Sequence, residues 1–259
     1  YVTVPVIKSA KKLGYKTFIH EQNSVPGKAN TYLSNYVDMI GISFPTSKQY
    51  FPKEKVILTG NPCSEDALNV VACDKKEFNL DNNKPLVLFV MGSLGASKVN
   101  DFLTKTMSLF NNKEYEILYV TGKGDYDKIK QNKFPKNVKV VPYVDKITRV
   151  MKKTDIMVTR AGASTLSEII ALQIPSIIIP SPYVPNNHQY KNALDLVEQD
   201  AALMVEEKDL KGDIIVRTID NLIKDKVKIQ NMKQNLAKLQ VKDSATIIYD
   251  NIRKLIDRK

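Results

Sequence analysis

Four segments of this 259-residue chain gather glycine, hydroxyl, carboxamide, imidazole and carboxylate groups at spacings suited to a phosphorylated, hydroxyl-rich ligand. In Val90-Met91-Gly92-Ser93-Leu94-Gly95-Ala96-Ser97 the glycines permit a tight turn, and the backbone N–H groups of a following helix would seat a phosphate. Gly92 and Gly95 would serve turn geometry alone equally well. In Arg160-Ala161-Gly162-Ala163-Ser164-Thr165-Leu166-Ser167-Glu168 a second helix start precedes a carboxylate able to accept both hydroxyls of a ribose. Equally, Thr165-x-x-Glu168 fits a capping box, in which Glu168 reaches back to the backbone of Thr165. The stretch Pro180 to Tyr190 stiffens a loop with three prolines and delivers Asn186, Asn187, His188 and Gln189. Such groups hydrogen-bond sugar hydroxyls; the alternative is that Asn186 or Asn187 caps the next helix and His188 is simply exposed. Finally, His20-Glu21-Gln22-Asn23-Ser24-Val25-Pro26-Gly27 sets one of two histidines beside a carboxylate in a loop at a strand's carboxyl end, so His20 and Glu21 are candidates for acid–base work, the alternative being that His20 is structural.

The elements that must position these groups follow from hydrophobic periodicity. Leu86 to Met91, Glu116 to Val120, Val138 to Val141, Asp155 to Val158, Ser176 to Ile179 and Ala201 to Val205 are short apolar runs. Between them, helix-period stretches occur at Ser97 to Phe110, Asp125 to Lys133, Asp145 to Lys153, Thr165 to Leu172 and His188 to Gln199. Apolar runs without alternation are expected for strands covered on both faces, so the pattern predicts six strands in one parallel sheet, a doubly wound Rossmann-like domain. Upstream, a helix (Val4 to Leu13), a strand (Lys16 to His20), a helix (Lys28 to Tyr36) and a strand (Asp38 to Phe44) read as part of a second α/β unit. Thr59-Gly60-Asn61-Pro62 is a turn signal and the predicted linker. Lys208 to Lys224, Lys226 to Leu239 and Lys242 to Lys259 read as three closing helices.

Composition excludes several classes. With 43% apolar and 26% charged residues the chain is neither disordered nor fibrous. Cys63 and Cys73 are too few for a disulfide scaffold, and no Cys/His cluster suggests structural zinc. No apolar run approaches the roughly 20 residues needed to span a bilayer. Lys+Arg 39 against Asp+Glu 28 gives a net charge of +11, which favours an anionic partner. Residues 1 to 63 hold eight Lys against three acidic residues, a net +5. The basic stretches lack interleaved aromatics and any nucleic-acid motif, so a phosphorylated substrate or an acidic lipid surface is preferred over nucleic acid. The chain opens without methionine at Tyr1-Val2-Thr3, from which a fragment is expected.

In this order, His20-Glu21-Gln22-Asn23, Pro26-Gly27, Gly60-Asn61-Pro62, Gly92-Ser93-x-Gly95-Ala96, Arg160-Ala161-Gly162-Ala163, Ser167-Glu168 and His188-Gln189-Tyr190 with Asn192-Ala193 resemble the MurG family of bacterial glycosyltransferases (glycosyltransferase family 28). These enzymes add N-acetylglucosamine to undecaprenyl-pyrophosphoryl-muramoyl-pentapeptide, converting lipid I to lipid II. The resemblance implies an α/β GT-B fold, two Rossmann-like domains facing across a cleft, the N-terminal one incomplete here. On that division residues 1–60 belong to the acceptor-side domain, 61–240 to the UDP-sugar domain, and the helix in 241–259 returns to the first. It also implies that Val144 in Tyr143-Val144-Asp145 contacts the uracil and that Glu168 binds the ribose. Ser93, Gly95 and Ala96 would meet the diphosphate together with Ala163, Ser164 and Thr165. Arg160 would belong to the same donor site, His188 and Gln189 would hold the N-acetylglucosamine, and Asn23 would reach across the cleft.

The chemistry implied is inverting transfer without a cofactor. Charge on the departing diphosphate would be met by backbone amides and helix N-termini, not by a metal on an Asp-x-Asp motif. Partners would be UDP-N-acetylglucosamine, undecaprenyl-linked lipid I and an anionic inner-membrane surface, with no nucleic acid, at the cytoplasmic face of the plasma membrane. Two positions depart from the family pattern: Cys63-Ser64 follows Gly60-Asn61-Pro62 where Val-Arg is usual, and Met91 replaces the first glycine of the phosphate turn. A chain starting at Tyr1 would lack the family's first glycine loop and its histidine, so weak donor binding and no transfer are expected of it. The alternatives are the donor-binding half of a split transferase, a diacylglycerol glycosyltransferase and a UDP-N-acetylglucosamine 2-epimerase.

Overall fold

The computed structural model describes residues 2–92 and 96–257. In chain order its strands are β1 (Phe18–Glu21), β2 (Met39–Ile42), β3 (Val56–Leu58), β4 (Leu86–Val90), β5 (Glu116–Val120), β6 (Val138–Val141), β7 (Ile156–Thr159), β8 (Ser176–Ile178) and β9 (Leu203–Met204). Its helices are α1 (Thr3–Lys12), α2 (Lys28–Leu33), α3 (Cys63–Asn69), α4 (Ser97–Thr106), α5 (Lys123–Ile129), α6 (Thr148–Met151), α7 (Ala163–Leu172), α8 (His188–Val197), α9 (Ile214–Lys224), α10 (Lys226–Leu239) and α11 (Ser244–Asp257). The strands form two parallel sheets, β1-β2-β3 and β6-β5-β4-β7-β8-β9.

The larger sheet is sandwiched between two cores, and strand periodicity assigns residues to them. Val87 and Phe89 of β4, Ile117 and Tyr119 of β5, and Ile156 and Val158 of β7 face the core capped by α4 and α9. Their neighbours Leu86, Leu88, Leu118, Val120 and Met157 face the other, against α6, α7 and α8. Two buried faces explain why these strands read as unbroken apolar runs. The chain winds outward from β4 through β5 to β6, then returns to lay β7, β8 and β9 on the opposite side of β4. The reversal opens a crevice at the carboxyl ends of β4 and β7, the position at which ligands of open α/β sheets bind.

The smaller sheet carries its own core of Ile19, Leu33, Val37, Ile40, Ile42 and Phe51. Here the structure adds β3, which sequence reasoning missed because Pro52 and three charged residues crowd its approach. The predicted linker is a turn that passes straight into α3. At Gly60 φ is +68°, and a Cβ there would come within 2.5 Å of Ser244 Oγ and 2.7 Å of Val241 Cβ, so the turn and the last connection pack without room for a side chain. The terminal helix returns along this turn, with Ala245 N donating to Glu65 Oε1 at 2.7 Å. Several predicted helices are shorter: α6 is a single turn, α9 starts only after Gly212, whose φ is +54°, and α4 tightens into a 3-10 turn at Met107–Phe110.

Candidate active site

Two helices begin at the crevice. α7 starts at Ala163, with Gly162 in extended conformation before it and no side-chain cap. α4 starts at Ser97 after Ala96, again without a cap. The first N–H groups of each helix have no partner within it, so two sets of donors and two positive dipole ends meet at the ends of β7 and β4. Around them lies a cavity of about 660 Å³ lined by Gly92, Ala96, Lys98, Arg160, Gly162, Thr165, Gln189 and Glu207 among others. Ser93 and Gly95, expected at its phosphate turn, lie outside the described residues.

The start of α4 is fixed by a buried polar network that sequence reasoning missed. Asn100 Nδ2 donates to Asp125 Oδ2 at 2.7 Å and to the Thr121 carbonyl at 2.9 Å, while its Oδ1 accepts from Tyr119 Oη at 2.7 Å. Ser97 Oγ donates to Asp125 Oδ1 at 3.0 Å. The available signal was a polar residue at a core-facing position between Val99 and Leu103, since buried polar groups persist only when satisfied. The chain does contain an Asp-x-Asp, Asp125-Tyr126-Asp127, contrary to the expectation from its sequence that it has none. Both Asp125 oxygens accept from α4, and Asp127 pairs with Lys130 at 2.6 Å.

Glu168 corrects one expectation. Because α7 begins two residues before Thr165, Thr165 sits inside the first turn rather than at the cap, and the capping box does not form. The Glu168 carboxyl lies between α7 and α3, where burial and the nearby Asp66 push its pKa up to about 7. Cys63 shares this environment: burial and Glu168 push its thiol up to about 12. Ser64, at the position where a cation is usual, turns its hydroxyl inward to the Asn61 carbonyl at 2.7 Å.

Other expected site residues divide into two groups. Arg160 lines the cavity, yet its guanidinium already bonds Glu207 Oε2 at 2.8 Å and the Ile179 carbonyl at 3.1 Å, so its charge is met within the protein. Gln189 also lines it; its Oε1 accepts from Ser181 N at 2.9 Å and ties the proline loop to α8. His188, one step round the helix, is separated from Gln189. Its Nδ1 donates to the Pro185 carbonyl at 2.9 Å, and it lines a second cavity of about 500 Å³ together with Asn23, Pro26 and Tyr32. Neither Asn186 nor Asn187 caps α8 through its side chain; both adopt left-handed backbone conformations instead. Val144 is half-buried against the second core.

The loop after β1 is held from within. Glu21 is buried, and its Oε1 accepts from Asn23 N at 3.0 Å and Asn23 Nδ2 at 3.1 Å, its Oε2 from Gly27 N at 3.1 Å and Asn30 Nδ2 at 2.8 Å. His20 Nε2 lies 3.0 Å from Thr59 Oγ1 and 2.9 Å from the Gly60 carbonyl, and burial lowers its pKa. His20 Nε2 and both Glu21 oxygens are thus engaged in holding turns. Asn23 does reach across to the larger sheet, its Oδ1 accepting from Asn192 Nδ2 at 3.1 Å.

Comparison with known proteins agrees with this architecture. The sequence profile of the glycosyltransferase family 28 C-terminal domain matches residues 86–248, and that of the family's N-terminal domain matches residues 1–42. The UDP-N-acetylglucosamine–N-acetylmuramyl-(pentapeptide) pyrophosphoryl-undecaprenol N-acetylglucosamine transferase 2 of Bacillus thuringiensis is 43% identical over 100% of this chain and 72% of its own length. The corresponding transferase of Bacillus cytotoxicus is 40% identical with the same coverage. The crystal structure of Acinetobacter baumannii MurG superposes with a TM-score of 0.77 at 24% identity, covering 98% of this chain and 71% of that one. A UDP-GlcNAc 2-epimerase from Neisseria meningitidis shares the fold at a TM-score of 0.68 and 14% identity, over 97% and 73% of the two chains. With parallel Rossmann-like sheets arranged as in GT-B enzymes and this identity across its whole length, the chain belongs to the MurG family of glycosyltransferases, glycosyltransferase family 28.

Proposed function

We propose that this protein transfers N-acetylglucosamine from UDP-N-acetylglucosamine to the C4 hydroxyl of the muramoyl sugar in undecaprenyl-pyrophosphoryl-MurNAc-pentapeptide, converting lipid I to lipid II in peptidoglycan synthesis. The observation that carries the reading is the cavity at the β4/β7 reversal, into which two uncapped helix starts open. In this reading the residues 61–240 bind the donor and 1–60 belong to the acceptor side. The diphosphate takes the N–H groups of Ala163, Ser164 and Thr165 and the turn at Ala96. The ribose hydroxyls donate to Glu168, Val144 contacts the uracil, and Gln189 offers its amide to the sugar.

The acceptor hydroxyl attacks the anomeric carbon from the face opposite UDP and gives its proton to a general base, the C–O bond to the β-phosphate breaks with its electron pair leaving on UDP, and configuration inverts. Negative charge that grows on the departing diphosphate is stabilised by fixed N–H dipoles that need no reorganisation as the bond breaks. The Asn23–Asn192 contact holds the acceptor side against the donor side. For the membrane, the reading assigns a peripheral position at the cytoplasmic face, with Lys12 of α1 and the exposed Leu13 and Tyr15 turned to anionic lipid, while Lys11 pairs with Asp38 and Lys8 rests on Tyr32. No described helix is long and apolar enough to cross a membrane.

The test is calorimetric titration with UDP-N-acetylglucosamine, paired with an assay of lipid II formation from a lipid I analogue in detergent. Binding of the nucleotide sugar that Glu168→Ala weakens at least about tenfold is expected. A protein that binds UDP-glucose or UDP-galactose as tightly, or whose binding ignores Glu168, would reject the assignment.

A further inference from the structure

Lys98 is the second residue of α4, and its Nζ donates to Tyr183 Oη at 2.7 Å with the ammonium 4.8 Å from the ring centroid. The pair spans the mouth of the 660 Å³ cavity, joining the first turn of α4 to the proline loop that follows β8. Both side chains are exposed there. The other cation lining the cavity, Arg160, is neutralised by Glu207 at 2.8 Å. Among the described residues Lys98 has no carboxylate within ion-pair distance; its partner is a neutral phenol.

The helix turn that carries Lys98 is not free to rotate. Ser97 and Asn100, three residues apart and so on one face, both bond Asp125. Lys98 is therefore presented roughly 100° round from that anchor, on the cavity side. A lysine here is a compact point charge that a neutral phenol can hold and release at little cost, whereas a carboxylate partner would have to be displaced.

We propose that Lys98, held at the cavity mouth by Tyr183, is the cation that binds the pyrophosphate of the nucleotide donor. This rests on the donor-site reading above and extends it to two residues that the sequence motifs did not single out. On binding, the ammonium exchanges the Tyr183 hydroxyl for phosphate oxygens.

The experiment compares UDP with uridine, and both with farnesyl pyrophosphate, by calorimetry on the full chain, for the parent, Lys98→Met, Lys98→Arg and Tyr183→Phe. Loss of one charge-assisted contact predicts about tenfold weaker UDP binding by Lys98→Met, with uridine binding unchanged. Lys98→Arg should restore most of the loss, and the salt dependence of UDP binding should shrink in Lys98→Met. Thermal unfolding should be the same in all four proteins, since both side chains are exposed. Equal losses for UDP and uridine, or none for UDP, overturn the proposal while leaving the donor site standing. Weakened farnesyl pyrophosphate binding with UDP untouched assigns the cation to a lipid pyrophosphate and also overturns it. A parent that binds neither UDP nor UDP-N-acetylglucosamine rejects the donor-site reading and this inference with it.

Discussion

The Asn192 carboxamide oxygen accepts from both the backbone N–H of Ser24, at 2.8 Å, and the Ser24 hydroxyl, at 2.9 Å. Its nitrogen donates to Asn23 Oδ1 and to the Ala161 carbonyl at 3.2 Å. One fully buried side chain on α8 thus binds the loop after β1 and the segment that leads into α7. Thr46 adds a weaker parallel link to Asp195, one turn further along α8, at 3.1 Å.

Asn192→Ala removes all four bonds and strands buried partners on both sides of the contact. Each orphaned group costs about 1–3 kcal/mol, with partial relaxation, so a loss of about 2–4 kcal/mol is expected. Urea unfolding measures it as a lower midpoint. A broadened transition or a changed slope would add that the two sheets then unfold separately.

Glu21→Gln tests the loop organiser. All four groups around the Glu21 carboxylate are donors, so an amide, with one acceptor oxygen and an NH2, must set two donors against two. The expected cost is about 2–3 kcal/mol. Faster amide exchange at Asn23 and Gly27 is the specific readout, and the stability of the larger sheet should be untouched.

Glu168 makes stability depend on pH in a direction opposite to that of a salt-bridged carboxylate. Its folded pKa is raised to about 7 from an ordinary 4.5. Below 4.5 both folded and unfolded forms hold the proton. Between 4.5 and 7 the folded form keeps a proton that the unfolded form releases, so this contribution is lost as pH rises. Glu168→Gln should therefore leave stability unchanged near pH 4 and raise it by about 1–3 kcal/mol at pH 8. Ribose hydroxyls donating to the ionised form would release a proton when UDP-N-acetylglucosamine binds between pH 5 and 7. Calorimetry in buffers of different ionisation enthalpy detects that release in the parent and its absence in the variant.

The sequence was legible where one physical rule dominated. The runs at Leu86–Val90 and Glu116–Val120 match β4 and β5 because strands covered on both faces are apolar almost throughout, whereas edge strand β6 was marked by Val138, Val140 and Val141 although it carries Lys139. The helix Lys226–Leu239 was likewise bounded by its own charges and period. For Glu168 the sequence left ribose binding and a capping box with Thr165 both open, because Thr165-x-x-Glu168 satisfies a local rule; the start of α7 is set by Gly162 leaving β7, which removes the capping box alone. His20 and Glu21 looked reactive for the reason that they are useful structurally: both are strong hydrogen-bonding groups beside a turn. Which of those uses prevails depends on Thr59, Gly60 and Asn30, and adjacency in sequence with His20 does not reveal the first two. Asn100 was visible only as a polar residue in an apolar stretch and Asn192 only as part of the Asn192-Ala193 motif, since their partners come from distant segments.

Asn100→Leu asks whether the start of α4 must be anchored for phosphate to bind. Leucine fills the same volume but leaves Tyr119 Oη without its acceptor and Asp125 Oδ2 and the Thr121 carbonyl without their donor. A loss of about 2–4 kcal/mol is expected, part of it from the stranded phenol in an apolar core. Tyr119→Phe in the same protein removes that phenol, so the double variant should recover about 1 kcal/mol relative to the sum of the single ones. Stability alone would be a packing result. The functional arm is that Asp125 would keep only Ser97, the first turn of α4 would lose its fixed direction, and UDP affinity should fall while uridine affinity holds. Equal affinity for UDP in parent and variant would mean that the N–H groups of α7 carry the diphosphate unaided.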